Sequence, residues 1–165
     1  MTCEAEPKSF VLKSTERFDV KKSVSGGGCG DVWVAFDNTL ASTVAIKRIF
    51  GWAAEMPLLQ AEVIAGRKIH SPHVLRIYDL IKLQGNDCIV MDYVEGRTLR
   101  ETLNNGTLPA EKAKTLIHQL CLGVAAIHKA GYAHCDLKPL NILVNCDGNL
   151  VIVDLGQSSP NFSVN

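Results

Sequence analysis

Short runs of alternating apolar and polar residues fill the first half of the chain, a pattern typical of β-strands. Five such runs predict strands, at residues 18–24, 32–36, 43–49, 74–83 and 88–93. The glycine cluster at residues 25–30 joins the first two runs, which predicts an antiparallel pair. One helical segment, residues 58–69, interrupts the series with an apolar stripe that includes Leu59, Val63 and Ile64. This half is therefore predicted to be a small antiparallel α+β lobe.

Helical spacing replaces this alternation after Gly96. A short helix is predicted over residues 98–103 and a long one from Pro109 to Ala130, because proline suits the first turn of a helix and Gly131 its C-terminal cap. The face of the long helix that we expect to be buried comprises Ala113, Leu116, Ile117, Leu120, Cys121, Val124 and Ile127. Two short strands, at residues 142–144 and 150–153, then flank an Asp-Gly turn.

These elements predict three parts along the chain. Residues 1–15 are polar and aperiodic, which predicts a loose tail. Residues 16–95 form the small lobe, and residues 96–165 form part of a second, mainly helical lobe, with the boundary at Glu95-Gly96.

Composition and charge exclude several classes of partner. The 165 residues include 17 Lys and Arg and 17 Asp and Glu, so nothing in the net charge favours nucleic acid or an anionic membrane. No apolar stretch reaches membrane-spanning length, and the N-terminal residues do not resemble a signal peptide.

The six cysteines form no C-x-x-C pair, which indicates reduced thiols and predicts a cytoplasmic protein. A metal site built from His118, Cys121, His134 and Cys135 is the alternative, but this spacing favours scattered core or loop residues.

The strongest chemical signal lies in the segment His134-Cys135-Asp136-Leu137-Lys138-Pro139-Leu140-Asn141. Asp136 precedes Asn141 by five residues, and Asp154 follows after the next predicted strands. This is the spacing of a phosphoryl-transfer site, in which one carboxylate orients an attacking hydroxyl while an amide and a second carboxylate hold Mg²⁺ on ATP. Lys138, in the same loop, would neutralise the charge that develops on the transferred phosphate.

The glycine cluster and the segment Val44-Ala45-Ile46-Lys47 on the third strand strengthen this interpretation. Glycines let backbone N–H groups approach phosphate oxygens, and Lys47 would lie beneath those phosphates. Lys47 then needs an anionic partner, for which Glu62 and Glu55 compete. We favour Glu62, because packing orients a helical residue more firmly than a loop residue.

Over residues 17–157 these motifs resemble the protein kinase family, and the Asp-Leu-Lys-Pro sequence at residues 136–139 resembles its serine/threonine members. The resemblance implies a five-stranded antiparallel N-lobe with one inserted helix and the first part of a mainly helical C-lobe. It also implies ATP and Mg²⁺ as cofactors and a protein substrate that carries Ser or Thr hydroxyls.

The same resemblance assigns the nucleotide site. Ser25, Gly27 and Gly30 match the three glycine positions of the family's phosphate loop. Val32, Ala45 and Leu143 match residues that line the adenine pocket. Met91 matches the gatekeeper, and Asp92 to Val94 match the hinge whose backbone hydrogen-bonds adenine.

The chain departs from the family pattern at four points. Ser25 replaces the first glycine, and Leu155 replaces the Phe of the Asp-Phe-Gly motif, both mild changes. Cys135 replaces an Arg, which resembles kinases that are not switched on by activation-loop phosphorylation. The fourth departure is that no segment ending in Ala-Pro-Glu follows Gly156, from which we expect a truncated kinase of little activity with a poorly packed long helix and fast hydrogen exchange over residues 110–165.

Three functions are therefore open. The first is a serine/threonine protein kinase, and the second is a non-catalytic remnant that binds ATP or a protein partner. The third is a small-molecule phosphotransferase, against which Lys138-Pro139 and the Val44–Lys47 segment of the third strand argue.

Overall fold

A computed structural model of the chain describes residues 11–27, 30–49, 56–104, 106–156 and 158–160. The elements of the first half are β1 (Phe18–Gly27), β2 (Gly30–Asp37), β3 (Ser42–Ile49), α1 (Met56–Lys68), β4 (Ile77–Leu83) and β5 (Asn86–Asp92). Those of the second half are β6 (Gly96–Thr98), α2 (Leu99–Asn104), α3 (Ala110–Lys129), β7 (Tyr132–Ala133), a 3₁₀ turn (Pro139–Asn141), β8 (Ile142–Asn145), β9 (Leu150–Ile152) and β10 (Ser159–Pro160).

The first five strands form one antiparallel sheet in the order β1-β2-β3-β5-β4, with α1 inserted between β3 and β4. This confirms the predicted α+β class and the five-stranded lobe. β4 and β5 are joined by a two-residue turn in which Gln84 and Gly85 both have positive φ, the conformation that matches the twist of paired strands.

Alternation along the strands gives this sheet two different faces. One face carries a core that includes Phe18, Trp33, Ile46 and Val90. The other packs against α1 through Leu59, Val63, Ile77 and Ile89, together with Ile49. The inward residues of α1 thus cover the face from which Lys47 projects.

The helix α1 approaches β4 closely because Gly66 has no side chain. A Cβ at Gly66 would lie 2.5 Å from Cδ1 of Ile77. A larger residue there would push α1, and with it Glu62, away from the sheet.

The second half has its own core, built where α3 packs on the β6-β8-β9 sheet. Its central side chains are Leu116, Ile127, Ile142, Leu150 and Ile152. The turn between β8 and β9 is closed by Asn145, whose side-chain oxygen accepts hydrogen bonds from the backbone N–H groups of Asp147 and Asn149.

The segment between α1 and β4 joins the two halves through backbone hydrogen bonds to β9. Leu75 N donates to Ile152 O at 2.8 Å, and Ile152 N donates to His73 O at 2.9 Å. Gly123 of α3 makes room for this contact, because a Cβ there would lie 2.9 Å from His73 O. The end of α1 is therefore anchored to the strand that precedes Asp154.

The buried face of α3 differs from the predicted one. Ile117 is 60% exposed and Cys121 is also exposed, although both were assigned to the core. Helical spacing identifies an apolar stripe but not its centre, and in the described residues the β-strands cover only the side that carries Leu116, Gly123 and Ile127. That side was expected to lack partners and instead belongs to the second core.

The predicted tail also differs from the structure where it is described. Leu12 is buried against the sheet, Lys13 O accepts a hydrogen bond from Gln84, and Ser14 Oγ accepts one from Val20 N. Residues 11–15 are therefore attached to the sheet rather than loose, because buried Leu12 and several hydrogen bonds hold them. Residues 1–10 lie outside the described residues.

Short strands account for most of the elements that the pattern did not predict. β6, β7 and β10 have two or three residues each, too few for a recognisable period. No helix in the described part of the chain is long and apolar enough to cross a membrane.

Candidate active site

Lys47 lies on β3, and the pairing of β3 with β2 and β5 determines which residues lie beside it. It is paired with Val32 on β2, and Ala45, two residues earlier, is paired with Met91 on β5. Since Val44 and Ile46 are buried in the core on the other face, alternation directs Ala45 and Lys47 towards the side covered by α1. Candidate phosphate-binding and adenine-lining residues therefore share one face of the sheet.

Three charged side chains meet at this face. Lys47 Nζ lies 3.4 Å from Glu62 Oε1 on α1 and 3.0 Å from Asp154 Oδ1, two residues after β9. The side chain of Lys47 is 14% exposed and that of Glu62 is 8% exposed, so the pair is largely shielded from solvent. The structure places Glu62 beside Lys47, while its rival Glu55 lies outside the described residues.

The pKa values of this cluster reflect burial first and its charges second. Burial acts to lower the pKa of Lys47, but the carboxylates of Glu62 and Asp154 outweigh it and leave the pKa above its ordinary value. Burial raises the pKa of Glu62, and the repulsion from Asp154 adds to this, against the opposing attraction of Lys47. One cation thus serves two carboxylates.

Asp154 adopts a left-handed conformation with φ of 64°. Such a conformation is unfavourable for residues other than glycine, and its occurrence at a polar cluster is typical of functional sites. The next residue, Leu155, is buried in the second core with Ile69 and Val74, as expected for a residue that packs near α1. That burial fixes Asp154 from its C-terminal side.

Gly156 leaves space for the carboxylates. A Cβ on Gly156 would lie 3.1 Å from Glu62 Oε2 and 3.4 Å from Asp154 Oδ1. Any side chain there would crowd Glu62, so the glycine helps the carboxylate reach Lys47.

A second polar group is built by the loop before β8. Lys138 Nζ donates to Asp136 Oδ2 at 2.7 Å, and Asn141 Nδ2 donates to the same oxygen at 2.9 Å and to Asp136 O at 2.9 Å. The hydrogen bond from Lys138, helped by its charge and by Asn141, holds the pKa of Asp136 below its ordinary value. Asp136 is therefore ionised at neutral pH. The side chains of Lys138 and Asn141 both bind the same carboxylate oxygen of Asp136, Oδ2.

His134 ties this loop to the strand that leads to Asp154. Asp136 N donates to His134 Nδ1 at 3.3 Å, and His134 Nε2 lies 3.1 Å from Val153 O. Val153 N in turn donates to Asn141 O at 2.9 Å. This pattern requires a proton on Nε2 of a buried histidine. His134 was not among the predicted site residues, although its place two residues before Asp136 is a signal that a sequence could have supplied.

The candidate nucleotide residues lie on β5, on β8 and in the connection between the two halves. On β8, Ile142 and Val144 are buried in the second core, so Leu143 between them projects away from it. Met91 and Asp92 end β5, and Val94 follows in the connection between the halves.

The phosphate loop is described in part. Ser25 pairs with Val32 and Gly27 pairs with Gly30, which confirms the predicted hairpin. Residues 28 and 29 lie outside the described residues, and nothing further about this loop enters the geometry of the site.

Asn141 and Asp154 fit Mg²⁺ by their chemistry, because both offer hard oxygen ligands. The amide nitrogen of Asn141 is occupied by Asp136, which leaves its oxygen for a cation, and Asp154 is 39% exposed. Within the described ranges no group of three His, Cys, Asp or Glu residues is placed to hold a metal, so the alternative site of His118, Cys121, His134 and Cys135 does not form.

Comparison with known proteins agrees with this geometry. The chain matches the protein kinase domain family over residues 18–161. It is 33% identical to probable serine/threonine-protein kinase pknA2 of Bifidobacterium longum, over 93% of this chain and 21% of that protein. It is 33% identical to serine/threonine-protein kinase PrkC of Bacillus subtilis (85% and 22%) and 34% identical to serine/threonine-protein kinase pkn2 of Myxococcus xanthus (84% and 17%). The chain thus spans about a fifth of the length of these relatives.

Proposed function

The chain belongs to the protein kinase family, and on that premise we propose that it is an ATP-dependent serine/threonine protein kinase. The reaction transfers the γ-phosphate of ATP to a Ser or Thr hydroxyl of a protein substrate. The observation that carries the proposal is that Lys47, Glu62 and Asp154, from three separate segments of the chain, lie in contact.

Asp136 is the residue that receives the substrate hydroxyl. Its Oδ2 is occupied by Lys138 and Asn141, so Oδ1 is the atom that faces the substrate and takes its proton. Its lowered pKa makes it a weak base, which suits a reaction dominated by positioning and charge stabilisation. Lys138 neutralises charge on the transferred phosphate.

Lys47 binds phosphate oxygens of ATP, and Glu62 holds it in position. Asn141 and Asp154 would hold Mg²⁺, which neutralises phosphate charge when bound. The negative excess around Lys47 supports this assignment, because a cation beside Asp154 would relieve it.

The adenine ring lies between the two halves of the chain, which we take as lobes at residues 16–95 and 96–165. Val32, Ala45 and Leu143 enclose it, Met91 limits its depth, and the backbone of Asp92 and Val94 hydrogen-bonds its edge. Ser25, Gly27 and Gly30 bring backbone N–H groups to the phosphates. The shared face of Ala45, Lys47 and Met91 supports this placement.

Cytoplasmic location is part of the same proposal. The described cysteines, Cys88, Cys121, Cys135 and Cys146, are all free thiols, which suits a reducing compartment. Cys135 carries no charge to pair with a phosphate, so we propose that activity does not depend on activation-loop phosphorylation.

The test compares Asp136→Asn with the matched control Asp147→Asn, an exposed aspartate in the β8–β9 turn. In a full-length version of the protein, Asp136→Asn should lower turnover on a generic Ser/Thr substrate by about 10²–10⁴ while ATP affinity, measured by calorimetry with a non-hydrolysable analogue, changes little. Asp147→Asn should behave like the unaltered protein.

Two outcomes would overturn the proposal. Unchanged turnover in Asp136→Asn would mean that Asp136 is not the catalytic base. Binding of the ATP analogue by a full-length version without any phosphoryl transfer would instead favour a nucleotide-binding module.

A further inference from the structure

The strand β4 contains an irregularity at Tyr78. Ile77 is paired with Met91 and Asp79 with Val90, so two steps along β4 match a single step along β5. Such a bulge inserts one residue into a strand and turns its side chain in a new direction. Tyr78 is the inserted residue.

The turned side chain reaches the last residue of β5. The Tyr78 hydroxyl donates a short hydrogen bond to Asp92 Oδ1. Asp92 is held a second time through its backbone, whose N–H donates to Arg76 O at 3.0 Å. The two neighbours of Ile77 therefore both bind Asp92. Tyr78 binds its side chain and Arg76 binds its backbone.

The ring of Tyr78 is itself fixed. It is partly buried on the face of the sheet away from α1, against the core that contains Cys88 and Val90. Asp92 follows these two residues at alternate positions along β5, which places its side chain on the same face. The guanidinium of Arg76 lies 5.6 Å from the ring centroid and covers it further.

The hydroxyl remains a donor at every physiological pH. Burial raises the pKa of Tyr78 to about 12, and the adjacent Asp92 carboxylate adds to the effect. The contact is therefore a permanent charge-assisted hydrogen bond rather than a switch.

Asp92 begins the connection between the two halves, the segment to which the proposed function assigns the adenine contacts. Backbone hydrogen bonds to a flat ring depend on fixed carbonyl and N–H positions, and a rigid support lowers the ordering cost of binding. We infer that Tyr78, through the bulge in β4, is a positioning residue that holds Asp92 and so orients the hinge for adenine. This inference rests on the proposed ATP binding.

The variant Tyr78→Phe keeps the ring and removes only the hydroxyl. It should raise the Kd and the KM for ATP by about three- to tenfold, the effect of one net hydrogen bond, and leave kcat within about twofold. Inorganic tripolyphosphate with Mg²⁺, which lacks adenine, should bind both proteins equally. The matched control is Tyr132→Phe, because the Tyr132 ring contacts Lys68 and its hydroxyl has no hydrogen-bond partner within the described residues.

A double-mutant cycle with Asp92→Ala shows whether Tyr78 acts through Asp92. Asp92→Ala should weaken ATP binding as Tyr78→Phe does, and the double variant should be no weaker than Asp92→Ala alone. Additive losses would overturn the inference. So would an unchanged Kd for ATP in Tyr78→Phe, or an equal loss of ATP and tripolyphosphate binding. Failure of the unaltered protein to bind ATP would instead overturn the proposed function, and this inference with it.

Discussion

Two buried charge centres in this chain resemble each other in composition and differ in balance. The first pairs Arg17, before β1, with Asp37 at the end of β2. The second places Lys47 between Glu62 and Asp154. Each centre joins segments distant in sequence, so both contribute to the fold.

The carboxylate of Asp37 has a full set of hydrogen-bond donors. Asp37 accepts hydrogen bonds from Nε and Nη2 of Arg17 and from the backbone N–H groups of Thr39 and Leu40, at 2.8 to 3.2 Å. Burial acts to raise its pKa, but the bonds from Arg17 and the backbone prevail and hold the pKa below its ordinary value. The carboxylate is more stable here than in water.

The centre at Lys47 is not balanced, since one ammonium faces two carboxylates and the pKa of Glu62 is raised. Burial and neighbouring like charge favour such a shift, and groups perturbed in this way concentrate at functional sites. A buried ion pair alone therefore does not indicate a site. A charge surplus that a ligand cation would relieve distinguishes Lys47 from Arg17.

The largest expected difference between the centres is in nucleotide binding. Lys47→Met should weaken binding of Mg²⁺ and an ATP analogue by roughly 10- to 100-fold, because a charged contact to phosphate is lost. Arg17→Met should leave this affinity unchanged and lower only the free energy of unfolding. Calorimetry on samples with native circular dichroism measures the first effect, and equal affinities in the two variants would remove the distinction.

The second expected difference is in stability. Asp37→Ala should lower the free energy of unfolding by about 1.5–3 kcal/mol, since hydrogen bonds to a buried charge are lost. Asp19→Ala is the control, because Asp19 pairs with Lys21 on the exposed side of β1 and its loss should change the free energy of unfolding much less. Urea denaturation measures both. Equal losses would show that the four contacts to Asp37 contribute no more than a surface pair.

The smallest expected difference is in pH dependence. The contributions of Asp37 and Glu62 to the free energy of unfolding should change with pH in opposite directions. Asp37 has a depressed pKa, so its advantage over Asn is complete above the ordinary value of 3.8 and disappears as the pH falls below it. Glu62 has a raised pKa, so its advantage over Gln is greatest below 4.5 and declines as the pH rises above that value.

Urea midpoints of the unaltered protein, Asp37→Asn and Glu62→Gln across a pH series give both trends. The two differences should slope in opposite directions. Slopes of the same sign would mean that Glu62 is stabilised as an anion, as Asp37 is, and that the charge surplus is absent.

Local order in the sequence determined much of this molecule. Alternation predicted the five strands of the sheet, because the period of a strand follows from its backbone geometry. The spacing of Asp136 and Asn141 predicted that one polar loop carries both residues, and the structure places the two side chains in contact there. The resemblance of these motifs to protein kinases anticipated the family that the comparisons show.

Packing alone decided the rest. The contact between Lys47 and Asp154 joins residues 107 positions apart, and no local pattern encodes it. The exposed face of α3 at Ile117, the packing of Leu12 and the turn of Tyr78 towards Asp92 likewise depend on which surfaces meet. A sequence period shows which residues can be buried, whereas only the assembled neighbours determine which of them are covered, paired or left charged.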